Sequence, residues 1–194
     1  MKGGAWPKVR LGEVLRLSLD PHSVEADREY PNLGILSFGR GLFHKPPISG
    51  ATTSARTLFR VRTGQFIYSR LFAFEGAYGL VTSDFDEHFV SNEFPTFDAD
   101  PARLLPEFVH AYFRRRAVWH VVAMQTTGMG NRRQRVQPER LLAHEIPLPP
   151  LTEQQRVVSL LRTIERLVEE AVELNSQVIA LLPAVLDRAF RGEL

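Results

Sequence analysis

Arginine dominates the residues that could do chemistry in this 194-residue chain. Over residues 110–140 stand Arg114, Arg115, Arg116, Arg132, Arg133, Arg135 and Arg140 against the single acid Glu139, whereas residues 75–107 carry eight acids against Arg103 alone. Net charge is only +2, so segregation along the chain matters more than the sum. Of 24 cationic residues only Lys2, Lys8 and Lys45 are lysines, and the planar guanidinium fork matches phosphate and guanine better than an ammonium does. Gly128 and Gly130 let backbone approach a phosphate, and the Asn131, Arg132, Arg133, Gln134, Arg135 run mixes side chains that read purine edges with side chains that neutralise phosphate.

Other chemistry lacks its residues. Neither Lys8 nor Lys45 follows a glycine, which removes a Gly-Lys-Ser/Thr phosphate loop, and no lysine stands two residues after a glutamate as a nuclease of the Asp…Glu-x-Lys type requires. No Gly-rich fingerprint or Asn/Asp-Pro-Pro-aromatic motif marks a methyl-donor pocket. Histidines at 22, 44, 88, 110, 120 and 144 lack His-Glu-x-x-His spacing, and the chain has no cysteine, so thiol catalysis, iron–sulfur clusters and Cys-based zinc sites are excluded. Asp84, Asp86 and His88 have the donor types for a metal, but acids between strands are ordinarily solvated, so no metal is expected.

The elements that must hold these residues are mixed. GILSF, TLFRVR, QFIYSR, YGLVTS and HFVSN, between residues 32 and 92, are short runs of β-branched and aromatic residues broken by Gly and Ser, and they predict strands of a compact β unit. Residues 39–57 have the composition of an exposed loop. Trp6, Val9, Leu11, Val14 and Leu15, with Phe72, Phe74, Tyr78 and Phe85, are expected in the core. Asp100 is expected to cap a helix with Pro101 at its first position, a second helix is predicted over 116–124, and PERLLAHEIPLPP predicts a turn and a short strand.

A long helix follows. Pro147, Pro149 and Pro150 bar helix, Thr152 can cap it, and Gln155 completes a Thr-x-x-Gln box. Val157, Leu161, Ile164, Val168, Ala171, Asn175, Val178, Leu182, Val185 and Ala189 alternate by steps of four and three, the a/d rhythm of a coiled coil. Asn175 occupies an a position, where a buried amide costs stability but penalises wrong register. Leu160, Leu167, Leu174 and Leu181 at g, with Val158, Val172, Ile179 and Leu186 at e, widen the apolar arc beyond a two-stranded seam and call for three or four packed helices. About 30 residues of helix span roughly 45 Å, and Pro183 is expected to kink or break it. The fold class predicted is α+β: a β-rich domain over 1–150, then a coiled-coil helix over 151–194. No run of 18 apolar residues and no charged leader with a hydrophobic stretch is present, so a cytoplasmic protein is expected.

GNRRQRVQPERLLAHEIPLPPLTEQQR, followed by the heptad helix closing on LDRAFRGEL, resembles the end of a target recognition domain and its helical region in type I restriction-modification specificity (S) subunits; WPKVRLGEV, VRTGQFIYSRLFAFEGAYGLV and FVSNEFPTF resemble the same recognition-domain scaffold. The resemblance implies a non-catalytic DNA-reading subunit that binds one half-site of a bipartite double-stranded target. It implies no cofactor on this chain, with S-adenosylmethionine, ATP and Mg on partner subunits only. Methyltransferase (M) and restriction (R) subunits would be the partners, with a homodimer through the helix, because S subunits carry two recognition domains and two such helices where this chain shows one of each. The DNA contacts expected are Arg40, His44, Lys45 and Arg56, then Arg114, Arg115 and Arg116, then the run of residues 131–135. Two alternatives stay open: the 131–135 run can belong to a shared scaffold or to the methyltransferase interface, and Arg114, Arg115 and Arg116 can be a solvated helix face. A protein-binding adaptor that uses its coiled coil without reading DNA is the competing function.

Overall fold

The computed structural model of the chain describes residues 6–124 and 135–191. Strand β1 (Lys8–Arg10) is followed by β2 (Leu15–Leu17), β3 (Pro21–Ser23), β4 (Glu29–Ile35), β5 (Leu42–Ser49), β6 (Thr57–Arg60), β7 (Phe66–Tyr68), β8 (Tyr78–Leu80), β9 (Phe89–Val90) and β10 (Thr96–Ala99). Helices α1 (Pro106–Phe113), α2 (Arg116–Met124) and α3 (Pro138–Ala143), strand β11 (Glu145–Pro147) and helix α4 (Leu151–Phe190) complete the described chain. It divides into two compact units, Met1–Gln155 and Arg156–Leu194. The architecture is α+β, with a β-rich unit followed by a long helix.

Three sheets build the first unit, with strand orders β1-β11, β2-β10-β7-β8 and β3-β6-β9-β4-β5. Among the described strands only β4 and β9 pair in parallel. Ile67 of the second sheet is buried with Leu33 and Val90 of the third, and with Val61, Val81 and Phe85, in one apolar cluster. A second buried layer stacks rings: Tyr78 lies 4.5 Å from Phe113, Phe66 lies 5.2 Å from Phe113, and Tyr68 lies 6.0 Å from Phe97. Such offset and tilted pairs add to their area burial where Phe113 of α1 meets Phe66 of β7 and Tyr78 of β8.

Several sequence expectations need correction. Residues 39–57 are not one loop: 42–49 form the mostly exposed strand β5, and irregular segments flank it on both sides. β5 is the edge of its sheet, and the register steps from Tyr30 opposite Ile48 to Asn32 opposite Lys45, so Pro46 and Pro47 together face Pro31. That two-against-one mismatch is a bulge, and an edge strand tolerates prolines because their missing N–H would have had no neighbour. GILSF supplies only the end of β4; residues 36–41 turn. Asp100 caps a single turn, its Oδ1 accepting the Ala102 N–H at 3.0 Å, and α1 begins at Pro106 because a helix starting at Pro101 would have had to run through that proline. The long helix starts at Leu151, with the Pro150 carbonyl accepting from Glu153 and Gln154, so Thr152 lies inside it and no Thr152–Gln155 box caps it. It also continues through Pro183, giving 40 residues instead of about 30; strong helix formers on both sides outweigh the roughly 3 kcal/mol penalty of an interior proline. Trp6, Phe72 and Phe74 are exposed, whereas Tyr78 and Phe85 are buried as expected.

Candidate nucleic-acid interface

The turn joining β4 to β5 is held in an unusual conformation. Leu36 N–H donates to the Gly41 carbonyl at 2.9 Å, and Phe38 and Gly39 both adopt left-handed backbone, with φ of 66° and 67°. Glycine accepts that region freely, but a bulky side chain there is strained. Three hydrogen bonds fix the tip onto the short 3-10 turn Ala73–Glu75: Phe38 N–H to the Glu75 carbonyl at 2.7 Å, Gly39 N–H to the Gly76 carbonyl at 3.0 Å, and Ser37 Oγ–H to Glu75 Oε2 at 2.9 Å. The Phe38 ring leans 6.4 Å from Trp119 of α2 yet stays 63% exposed. Gly76, at φ 81°, admits the Trp119 ring so closely that a Cβ would lie 2.3 Å from it, so only glycine fits.

The fold brings two predicted contacts to this tip. Arg40 donates its Nε–H to the Ser37 carbonyl at 3.0 Å, and its guanidinium carbon stands 6.0 Å from the Phe38 ring centre. Arg114 ends α1 with its Cα in van der Waals range of Gly39, 3.4 Å from where a Cβ would be. Arg115 lies over the Tyr112 ring at 5.4 Å, and Arg116 opens α2; all three of these arginines are exposed.

His44 and Lys45, adjacent on β5, point to opposite faces. His44 stacks on Phe85 at 4.4 Å and its Nδ1 lies 3.2 Å from His88 Nε2, on the side where Leu42 packs against the core. Lys45 shares the other face with Phe43, whose ring covers Gly34. Arg56 is exposed just before β6, where its carbonyl accepts the Val24 N–H at 3.0 Å.

The run at 131–135 is described only at its end: Asn131, Arg132, Arg133 and Gln134 lie outside the described residues. Arg135 donates Nε–H to both Glu93 oxygens, at 3.0 and 3.1 Å. Next to it, Val136 N–H donates to the Arg70 carbonyl at 2.9 Å, Tyr68 Oη–H donates to the Val136 carbonyl at 2.8 Å, and Arg70 reaches Gln137 Oε1 at 2.7 Å. Burial raises the Tyr68 phenol well above its ordinary pKa, which keeps it a proton donor here.

Several of the acids at 75–107 are paired within the chain. Glu93 takes Arg135, Glu87 takes Arg62 at 2.6 Å, and Asp98 pairs with Arg16 at 3.8 Å. Asp86 accepts the Thr63 N–H at 2.8 Å, and that bond holds its carboxyl below the usual carboxylate value. No cluster of three or more His, Cys, Asp or Glu able to hold a metal occurs among the described residues. None of their helices is long and apolar enough to cross a membrane.

Two further features were missed in sequence. Phe38 gave no signal beyond its neighbouring glycine. Gln154, fully buried, accepts the Leu105 N–H on its Oε1 and donates to the Arg103 and Pro149 carbonyls, all at 2.8 Å.

In the second unit the predicted seam is laid out along one helix. Ile164, Val168, Val178, Leu182 and Val185, with Leu160, Leu167, Leu174, Leu181, Val172 and Ile179, are all exposed large apolar side chains. Arg166 pairs with Glu170 at 2.6 Å and Gln177 donates to Glu173 at 2.9 Å on the opposite, polar face. Val157 and Leu161 are half-buried, and Ala171 and Asn175 are exposed.

Comparison with known proteins gives a match at the level of fold. The chain superposes on the HsdS subunit from Thermoanaerobacter tengcongensis with a TM-score of 0.72 at 24% identity, over 89% of this chain and 45% of that one. A structure concerned with complex assembly and conformational transition of the type I R-M system also matches with a TM-score of 0.72, at 22% identity, over 97% of this chain and 49% of that one. The chain therefore spans about half the length of the solved structures it matches. No protein-family model matches it, and no curated protein is significantly similar to it.

Proposed function

We propose that this chain reads DNA as part of a type I restriction-modification specificity subunit, binding one half-site of a bipartite duplex target and docking methyltransferase and restriction subunits, without catalysis of its own. The observation that carries the reading is the fold shared with HsdS over 89% of the chain, joined to the signatures at both ends of the β-rich unit. Arg40 and Arg114 at the β4–β5 tip supply polyanion-facing charge, Arg115 and Arg116 follow Arg114 in the chain, His44 and Lys45 lie on β5 and Arg56 before β6, and the residues of the 131–135 run are proposed as further DNA contacts. S-adenosylmethionine, ATP and Mg belong to the partner subunits. The apolar face of α4 supports pairing with a second α4, antiparallel, and with methyltransferase helices, since a stripe of this width is unfavourable in water.

The test is equilibrium binding of a labelled duplex to the full chain, alone and with a type I methyltransferase subunit. Binding whose log affinity falls linearly and steeply with log salt supports the reading. No binding in either form at low salt, with methyltransferase association intact, would leave a protein-binding adaptor.

A further inference from the structure

We infer that Phe38 is a base-stacking wedge, a side chain that the fold holds out to slide against or between DNA bases beside the arginines at the β4–β5 tip. The inference rests on the DNA-reading function proposed above and adds which residue enters the bases. Three observations carry it. A phenylalanine is 63% exposed at the end of a hairpin, where an apolar ring gains nothing from water. Its backbone sits at φ 66°, a conformation costing about 1–3 kcal/mol for a non-glycine residue and retained only where surrounding structure over-determines it. Here it is over-determined by the Phe38 and Gly39 N–H bonds onto Glu75 and Gly76 and by the Ser37 hydroxyl on Glu75. A tip pinned in this way fixes the backbone that carries the ring, which leans on Trp119 at 6.4 Å on one side and is otherwise exposed.

The surroundings select the ligand. The Arg40 guanidinium lies 6.0 Å from the ring centre, and Arg114 flanks the adjoining Gly39. Cations beside an exposed ring suit a base step, whose π faces take the ring while the flanking phosphates take the arginines. An apolar protein partner would be served poorly by them. The strain also has a role on this account: left-handed backbone at Phe38 sends the side chain off the path that an extended strand would give it, which a glycine at the same position would not exploit.

The experiment uses the full chain with its methyltransferase and a pool of random-sequence 40-base-pair duplexes in which 2-aminopurine replaces some adenines. Wild-type protein is expected to bind with steep salt dependence and to raise 2-aminopurine emission as bases unstack. F38A and F38G are expected to bind roughly 5- to 100-fold more weakly, the range of one lost base–aromatic stack, with little emission rise and an unchanged salt slope. F38G relieves the backbone strain, so its melting temperature should equal or exceed wild type, separating lost stacking from misfolding. R40A should instead flatten the salt slope by about one unit. Wild-type affinity and emission in F38A would overturn the wedge while DNA reading stands. No binding by wild type would overturn both. Unchanged DNA binding with lost methyltransferase association in F38A would make Phe38 a protein contact and also overturn the wedge.

Discussion

Arg135 grips Glu93 through one nitrogen, Nε–H donating to both carboxylate oxygens at 3.0 and 3.1 Å. The relationship ties the end of the basic run to the segment between β9 and β10 and gives Arg135 a partner within its own chain. The pair is partly exposed, so it contributes no more than about 1 kcal/mol, but it sets a position that Val136 and Gln137 reinforce through Arg70.

The three arginines of the run should therefore differ. R132A and R133A are expected to weaken duplex binding and each to flatten the salt slope by about one unit, with sequence preference retained. R135A should cost stability as E93A does and change the slope less. A titration of affinity against salt for each variant checks this; equal slopes for all three would show that the Glu93 pair does not restrain Arg135.

Helix α4 predicts association. Its exposed apolar face should drive the full chain to a dimer or larger species, seen as mass by light scattering at tens of micromolar, and a soluble monomer there would count against the assigned seam. N175L should raise the melting temperature and broaden the distribution of masses, because a polar residue at an a position trades stability for register.

Gln154 should be a stability residue without a role in DNA affinity. Q154A leaves the Leu105 N–H and the Arg103 and Pro149 carbonyls without their partner, which should cost about 2–3 kcal/mol in chemical denaturation. A loss below about 0.5 kcal/mol would mean that water or a shifted backbone replaces the amide.

His144 makes stability depend on pH. Burial pushes its pKa below the usual 6.5, and Glu145 opposes this only in part. Its Nε2 lies 3.2 Å from the Tyr112 hydroxyl. Because the unfolded chain takes up this proton first, the contribution is complete above pH ~6.5 and is lost as pH falls from there toward the depressed folded-state value. Melting temperatures between pH 8 and 5 should fall less steeply for H144Q than for wild type; parallel curves would exclude His144 as the source.

The parts of the fold legible in sequence were those written locally. Helix α2 matches the predicted 116–124 bounds, and β6, β7, β8 and β9 lie within TLFRVR, QFIYSR, YGLVTS and HFVSN, because β-branched and aromatic runs between Gly and Ser carry their own signal. What escaped depends on distant partners. β1 exists only because Lys8–Arg10 lies against Glu145–Pro147, and β5 holds Pro46 and Pro47 only because it is an edge with a bulge opposite Pro31. The acid-rich and arginine-rich segments were legible as charge, but Glu93 of the first pairs with Arg135 of the second, and Glu87 takes its partner, Arg62, from outside both. Of the candidate contacts, Arg40 and Arg114 come together at one tip, whereas His44 and Lys45, neighbours in sequence, are parted by the alternation of a strand.

The central claim is that this chain specifies a DNA sequence, and genome-wide mapping of methylated sites tests it most directly. On the proposed pairing of two copies through α4, a two-fold axis would present identical readers in opposite orientation. In cells carrying this gene and its methyltransferase, the modified sites should form an interrupted palindrome that disappears when the gene is deleted and the methyltransferase retained. A methylation pattern unchanged by that deletion would contradict the account, and asymmetric half-sites would replace the homodimer with a pairing to a different recognition chain.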